Sequence, residues 1–295
     1  MTRISIAGFM IAITLLASCA KDELVVVPGN VPPPDPTVTD LSDDVLQENY
    51  INKVYISVLG RKPTSIELTT GKTILSQHDL SVADRNQLLD VVLSGNEYYY
   101  RVYDLARIEL LNAVDTSEIT QDIFIYNLLL QDTATYGPYF ALIHHEIDRL
   151  EALKEAPSAF AAGNIDIIEL HRRCANNKIY DDINMGTENF VISMFQNFLL
   201  RYPTTQELEQ GKQMVDGFTA AVFYETGDSK DDFLDIFFRS SDYFEGQVRN
   251  LYLRYLFREP DSETMTALSQ QYKKDKDYKA LQKAILNTDE FVGLK

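Results

Sequence analysis

The strongest constraint on this chain is a segment that occurs more than once. ENYINKVYISVLGRKPTSIEL at 48–68 returns as ENFVISMFQNFLLRYPTTQEL at 188–208, a constant offset of 140 residues. The offset matches Tyr50 with Phe190, Tyr55 with Phe195, Arg61 with Arg201, Pro63 with Pro203, Glu67 with Glu207 and Gly71 with Gly211. A third copy, LYLRYLFREPDSETM at 251–265, keeps Tyr252, Arg258 and Pro260 at the same spacing and lacks the glycine. One repeated unit cannot bury its own apolar face, so the copies must pack against neighbours.

Within each copy the pattern is helical. Val54, Tyr55 and Val58 recur as Met194, Phe195 and Phe198, and as Leu251, Tyr252 and Tyr255, the i, i+1, i+4 spacing of a buried helical stripe. Proline then ends the helix, because it disfavours the α region for Lys62, Tyr202 and Glu259 before it. Thr64-Ser65-Ile66-Glu67 and Thr204-Thr205-Gln206-Glu207 read as capping boxes that restart one. In the third copy Asp261 is the expected cap, with Thr264 where the Glu would stand.

Each unit closes on an apolar helix and an acid-aromatic step: Glu97-Tyr98, Asp242-Tyr243 and Glu290-Phe291. This predicts about three helices per repeat and an all-α fold, since no stretch from 41 to 295 alternates with period two long enough for a sheet. The expected divisions are repeat 1 at 41–103, a helical insertion at 104–187, repeat 2 at 188–246 and repeat 3 at 247–295. Arg61, Arg201 and Arg258 are expected to bind helix carbonyls or the acids of the closing step rather than a ligand.

The arginine-proline element, the closing step and the three-helix spacing resemble a repeat family of unknown function related to phycobilisome-linker-type helical domains. The resemblance covers about 170 residues in three pieces. Ser240-Ser241-Asp242-Tyr243 and Thr288-Asp289-Glu290-Phe291 keep the hydroxyl of its motif, while the first copy has Gly95 there. The resemblance implies assembly or adhesion rather than a reaction, and assigns no catalytic residue.

The N-terminus carries a separate message. Met1-Thr2-Arg3 precedes an apolar run from Ile4 to Ala17, the order of an export signal at 1–18. At 1.5 Å per residue the run reaches roughly 21 Å, short of the ~30 Å hydrocarbon core. Leu16-Ala17-Ser18-Cys19 resembles the lipobox of bacterial lipoproteins, which implies cleavage before Cys19 and acylation of its thiol. Ala20, rather than Asp, implies sorting to the outer membrane, on its periplasmic face or at the cell surface. Each buried CH₂ contributes about 0.8 kcal/mol, so several acyl chains hold a protein that one would not. Pro28, Pro32, Pro33, Pro34 and Pro36 mark 19–40 as a disordered tether, with a reach of up to roughly 65 Å in polyproline form.

Charge limits the partners. The chain has 27 Lys and Arg against 44 Asp and Glu. A phosphate backbone rewards clustered cations through counterion release, so nucleic acid is an unfavourable partner. The expected partners are the bilayer, through acylated Cys19, and an envelope protein. No phosphate loop, dinucleotide fingerprint or nucleophile elbow occurs, and no cofactor is expected.

Three further groups warrant attention. HHEIDR at 144–149 places His144 and Asp148 one turn apart, and an enzyme reading would add His145, His171 and Cys174 as metal ligands. Arg149 stands where a zinc-protease helix needs its second His, which weighs against that reading. TGDSKDDF at 226–233 lacks the glycine and order of a calcium loop and reads as a polar helix cap. Tyr98, Tyr99, Tyr100 and Arg101 form an aromatic run whose rings point in different directions, so at least one is expected on the surface, suited to a protein or glycan contact.

Overall fold

A computed structural model describes residues 43–294. The leader, Cys19 and the proline-rich stretch lie outside the described residues. The body is all-α apart from one short hairpin.

Repeat 1 begins with α1 (Asp43–Leu59), which buries Tyr50, Ile51, Val54, Tyr55 and Val58. Gly60, at φ +74°, turns the chain out of the helix before Pro63. A capping box between Thr64 and Glu67 opens α2 (Ser65–Leu75), and a second between Ser81 and Asp84 opens α3 (Val82–Ser94). Gly71 explains itself by contact: a Cβ there would meet Ile51 Cδ1 at 2.9 Å, so α2 crosses α1 at a distance only glycine allows. The same crossing recurs in repeat 2, where a Cβ on Gly211 would lie 3.0 Å from Val191 Cγ1.

The acid-aromatic step opens α4 (Asn96–Leu110), whose inner face leads into the insertion. There α5 (Thr116–Leu129), the single turn α6 (Thr133–Tyr136) and the long α7 (Phe140–Ala161) form a helical hairpin. It is followed by α8 (Ile167–Ala175) and α9 (Lys178–Ile183). The insertion is not a separate body: α7 and α8 pack on α4, and α8 also touches the closing helix of repeat 2.

Repeat 2 runs from α10 (Thr187–Met194) directly into a π-helical turn, Phe195–Leu199. Next come α11 (Thr205–Val215), α12 (Lys230–Arg239) and α13 (Ser241–Leu256). The first half of α13 is the closing step of repeat 2, and its second half is the opening helix of repeat 3. The division between 246 and 247 therefore falls inside one continuous helix. Repeat 3 adds α14 (Ser262–Asp275), α15 (Tyr278–Leu286) and the short α16 (Asp289–Val292).

One feature departs from the all-helical expectation. Between α11 and α12 stands a two-stranded antiparallel hairpin, β1 (Ala220–Val222) and β2 (Glu225–Gly227). Three-residue strands are too short to show period two in a sequence. From Gly71 to the cap Ser81 is ten positions and from Gly211 to the cap Ser229 is eighteen, so the hairpin is an eight-residue addition to repeat 2. Ser229 caps α12, and Asp232 accepts from the Asp228 amide and the Ser229 hydroxyl, the polar cap expected of TGDSKDDF.

The repeats do not extend as an open stack. Repeat 3 returns to repeat 1: the Tyr50 hydroxyl donates to the Leu286 carbonyl at 3.2 Å, and Tyr98 Oη lies 2.6 Å from Gln282 Oε1. Buried Arg85 donates to the Asn287 carbonyl at 2.7 Å and to Asp289 at 3.1 Å. A single hydrophobic core runs through all three repeats and the insertion.

Candidate functional site

The repeated arginines form three equivalent nodes. Arg61 grips Glu67 with two bonds of 2.8 Å, grips Glu97 at 2.5 and 2.7 Å, and donates to the Lys62 carbonyl. Arg201 holds Glu207 at 2.8 and 2.7 Å, Asp242 at 2.6 Å and the Tyr202 carbonyl. Arg258, lacking the capping Glu, holds Glu290 at 2.7 and 2.6 Å and the Glu259 carbonyl. Each guanidinium lies over the repeat's own aromatic ring: Tyr55, Phe195 or Tyr252. The arginine-proline element and the acid-aromatic step are thus two halves of one internal clamp. Hydrogen bonds from Arg61 hold the Glu67 carboxyl down at about 2. At Glu207 burial works upward, but the bonds from Arg201 and Thr204 outweigh it and the net shift is downward.

The aromatic run is divided between core and surface. Tyr98 is buried, and Tyr99 packs edge-on against Phe160 beneath the Lys279 ammonium. Arg101 lies against Gly60 and pairs with Asp104. Only Tyr100, 48% exposed, faces outward, so no continuous aromatic ridge forms.

The residues of the metal reading do not converge. His144, His145 and Asp148 occupy the exposed side of α7, whereas Cys174 is in the core of α8. His171 Nδ1 is 2.9 Å from the Tyr243 hydroxyl. Burial pushes the Cys174 thiol up to about 12, the opposite of what a thiolate ligand needs. Among the described residues no group of three or more His, Cys, Asp or Glu is placed to hold a metal.

Two other features stand out. The first is a polar cleft where repeat 1, the insertion, repeat 2 and repeat 3 meet. Its outer part has a volume of about 550 Å³ and is walled by Glu109, Asn197, Asn250 and Arg254, flanked by Leu200 and Leu253. Behind those same four polar residues lies a recess of about 30 Å³ lined by His171, Gln247 and Tyr278. Arg254 closes on Glu109 at 2.9 Å. Burial, with a smaller push from Arg254, lowers His171 to about 3, so its imidazole is neutral near pH 7.

Gly246 makes this junction possible. A Cβ there would fall 2.0 Å from the Phe198 carbonyl oxygen, so α13 touches the π-turn backbone to backbone. The sequence hid the cleft because its walls come from five separate elements and its polar residues do not recur from copy to copy.

The second feature is apolar. At the tip of the α5–α7 hairpin, Phe124 and Leu128 lie one turn apart on α5, with Tyr139 and Leu142 where α7 begins. All four are more than half exposed, up to 66% for Phe124. Neighbouring exposed apolar side chains mark interaction sites; Phe257, Tyr202 and Phe218 on the repeats are exposed to a similar or greater degree. No family profile, no curated protein and no solved structure matches the chain.

Proposed function

We propose that the protein is an envelope lipoprotein, held at the outer membrane by acyl chains on Cys19, whose helical body is a scaffold that binds an envelope protein. The observation that carries this reading is the apolar tip of the insertion. Phe124, Leu128, Tyr139 and Leu142 expose large side chains on the helical insertion, outside the repeats. The repeats use their recurring charges internally, in the three arginine clamps, so their motifs are devoted to architecture. The Leu16-Ala17-Ser18-Cys19 motif supports the lipid anchor, and the acidic balance agrees with a protein partner rather than nucleic acid.

The test is affinity purification from gently solubilised membranes after mild crosslinking. The wild-type protein should recover a stoichiometric partner, and the triple variant Phe124→Ser, Leu128→Ser, Leu142→Ser should lose it while keeping its helical circular dichroism. A wild-type protein recovered alone, or a partner retained by the triple variant, would sink the proposal. Mass spectrometry of the purified protein checks the anchor: a free thiol on Cys19 or an uncleaved leader would rule it out.

A further inference from the structure

Three residues of α13, at i, i+3 and i+7, form one stripe down the polar cleft: Gln247, Asn250 and Arg254. Gln247 is only 4% exposed, and its side chain lines the recess behind the cleft. A carboxamide on the wall of a recess offers one donor group and one acceptor to whatever enters it. The repeat makes the choice more pointed. Gln247 stands at the position where repeat 1 has Tyr50 and repeat 2 has Phe190, both buried in the core. The third copy replaces an aromatic core residue with an amide at the one place where the cleft ends.

From this geometry we infer that the cleft is a binding site for a neutral carbohydrate, with Gln247 recognising a hydroxyl in the recess and Asn250 and Asn197 the hydroxyls outside it. Carboxamides donate and accept along one planar edge, and a sugar hydroxyl does both as well. The recess, at about 30 Å³, has room for a group the size of one hydroxyl or water. The outer cleft, at about 550 Å³, accommodates the body of a small saccharide. Leu200 and Leu253 offer apolar flanks to the C–H face of a ring.

Charge selects against acidic and basic ligands alike. Arg254 and Glu109 neutralise one another at the rim, and His171 behind them is uncharged near pH 7. The site therefore presents dipoles without net charge. The π-turn contributes too: its wider winding brings Gln196 and Asn197 to the cleft, whereas the equivalent turns of α1 and α13 are ordinary α-helix. Turns of this kind gather at functional sites.

Saturation-transfer NMR on the full-length protein in detergent tests the inference, using glucose, galactose, mannose, N-acetylglucosamine and their trisaccharides, with glucuronate as a charged control. At least one neutral sugar should bind saturably and in preference to glucuronate. Gln247→Leu should weaken that binding by about tenfold or more while leaving the melting temperature unchanged, because Leu is a near-isostere at a position where the other two repeats carry buried apolar rings. Asn250→Ala, at a less buried position, should weaken it as well and provides the check if the first variant folds poorly. The triple variant of the apolar tip should bind the sugar normally, which separates this site from the protein-binding surface. The inference is overturned if no neutral sugar binds, if glucuronate binds best, or if neither cleft variant weakens binding.

Discussion

At the scale of single residues, His171 is the clearest titrating group in the molecule. Its imidazole sits inside the cleft with a folded value near 3, against an ordinary 6.5. Between those values the unfolded chain takes up a proton that the folded chain refuses, so stability falls as pH drops below 6.5. From pH 6.5 to about 4.5 this loss precedes the titration of most carboxylates. Urea denaturation across that window should show wild-type stability declining with acid, and His171→Gln should flatten the decline. An equal slope in both proteins would show that the imidazole is not held neutral. Nothing in the sequence around His171 announces this behaviour. It arises because folding buries the ring among distant elements, with the Tyr243 hydroxyl, 72 positions away, against its Nδ1 and Arg254 nearby.

At the scale of elements, the hairpin of repeat 2 combines two unusual backbones. Phe223 and Tyr224 form its two-residue turn at φ +50° and +66°, the pattern that Asn-Gly adopts freely and that a β-carbon opposes. Phe223 is held there by stacking on Phe195 at 5.7 Å. Tyr224 is fully exposed and has no such compensation. Tyr224→Gly should therefore raise stability by about 1 kcal/mol, read as a higher denaturation midpoint with an unchanged slope.

The helices themselves were legible in the sequence because their signals are local. Proline before each restart, Thr64 with Glu67, and Thr204 with Glu207 specify boundaries within a few residues, and the structure has those caps in place. The hairpin and the π-turn were not legible, because each depends on a surface supplied by distant helices. The clamps lie between these cases. The sequence shows Arg61 and Glu97 recurring as Arg201 and Asp242, and as Arg258 and Glu290, but only folding reveals that the two halves are partners.

At the scale of the whole molecule, the seam between repeats 1 and 3 decides whether the body unfolds as one unit. Arg85, buried in α3, donates to Asn287 and Asp289 across more than 200 positions of sequence. Arg85→Ala removes these charge-assisted bonds and leaves the Asn287 carbonyl without its donor, at a cost of about 2–3 kcal/mol. Because one core runs through every unit, the loss should appear as a shift of a single unfolding transition. Two separated transitions in the variant would mean that the repeats hold together independently. This closure was not legible in the sequence, since a threefold repeat is equally compatible with an open row.

The sharing of α13 between two units, together with the return of α15 and α16 onto α1 and α3, has an evolutionary corollary. Solenoids lengthen by duplication because each end offers a free face to another copy. Here the outermost copies already occupy each other's ends, so a fourth would have nowhere to dock without prising the circle open. Descendants of this architecture can diversify by enlarging loops, as the long excursion after α4 has done, while their unit number stays locked at three.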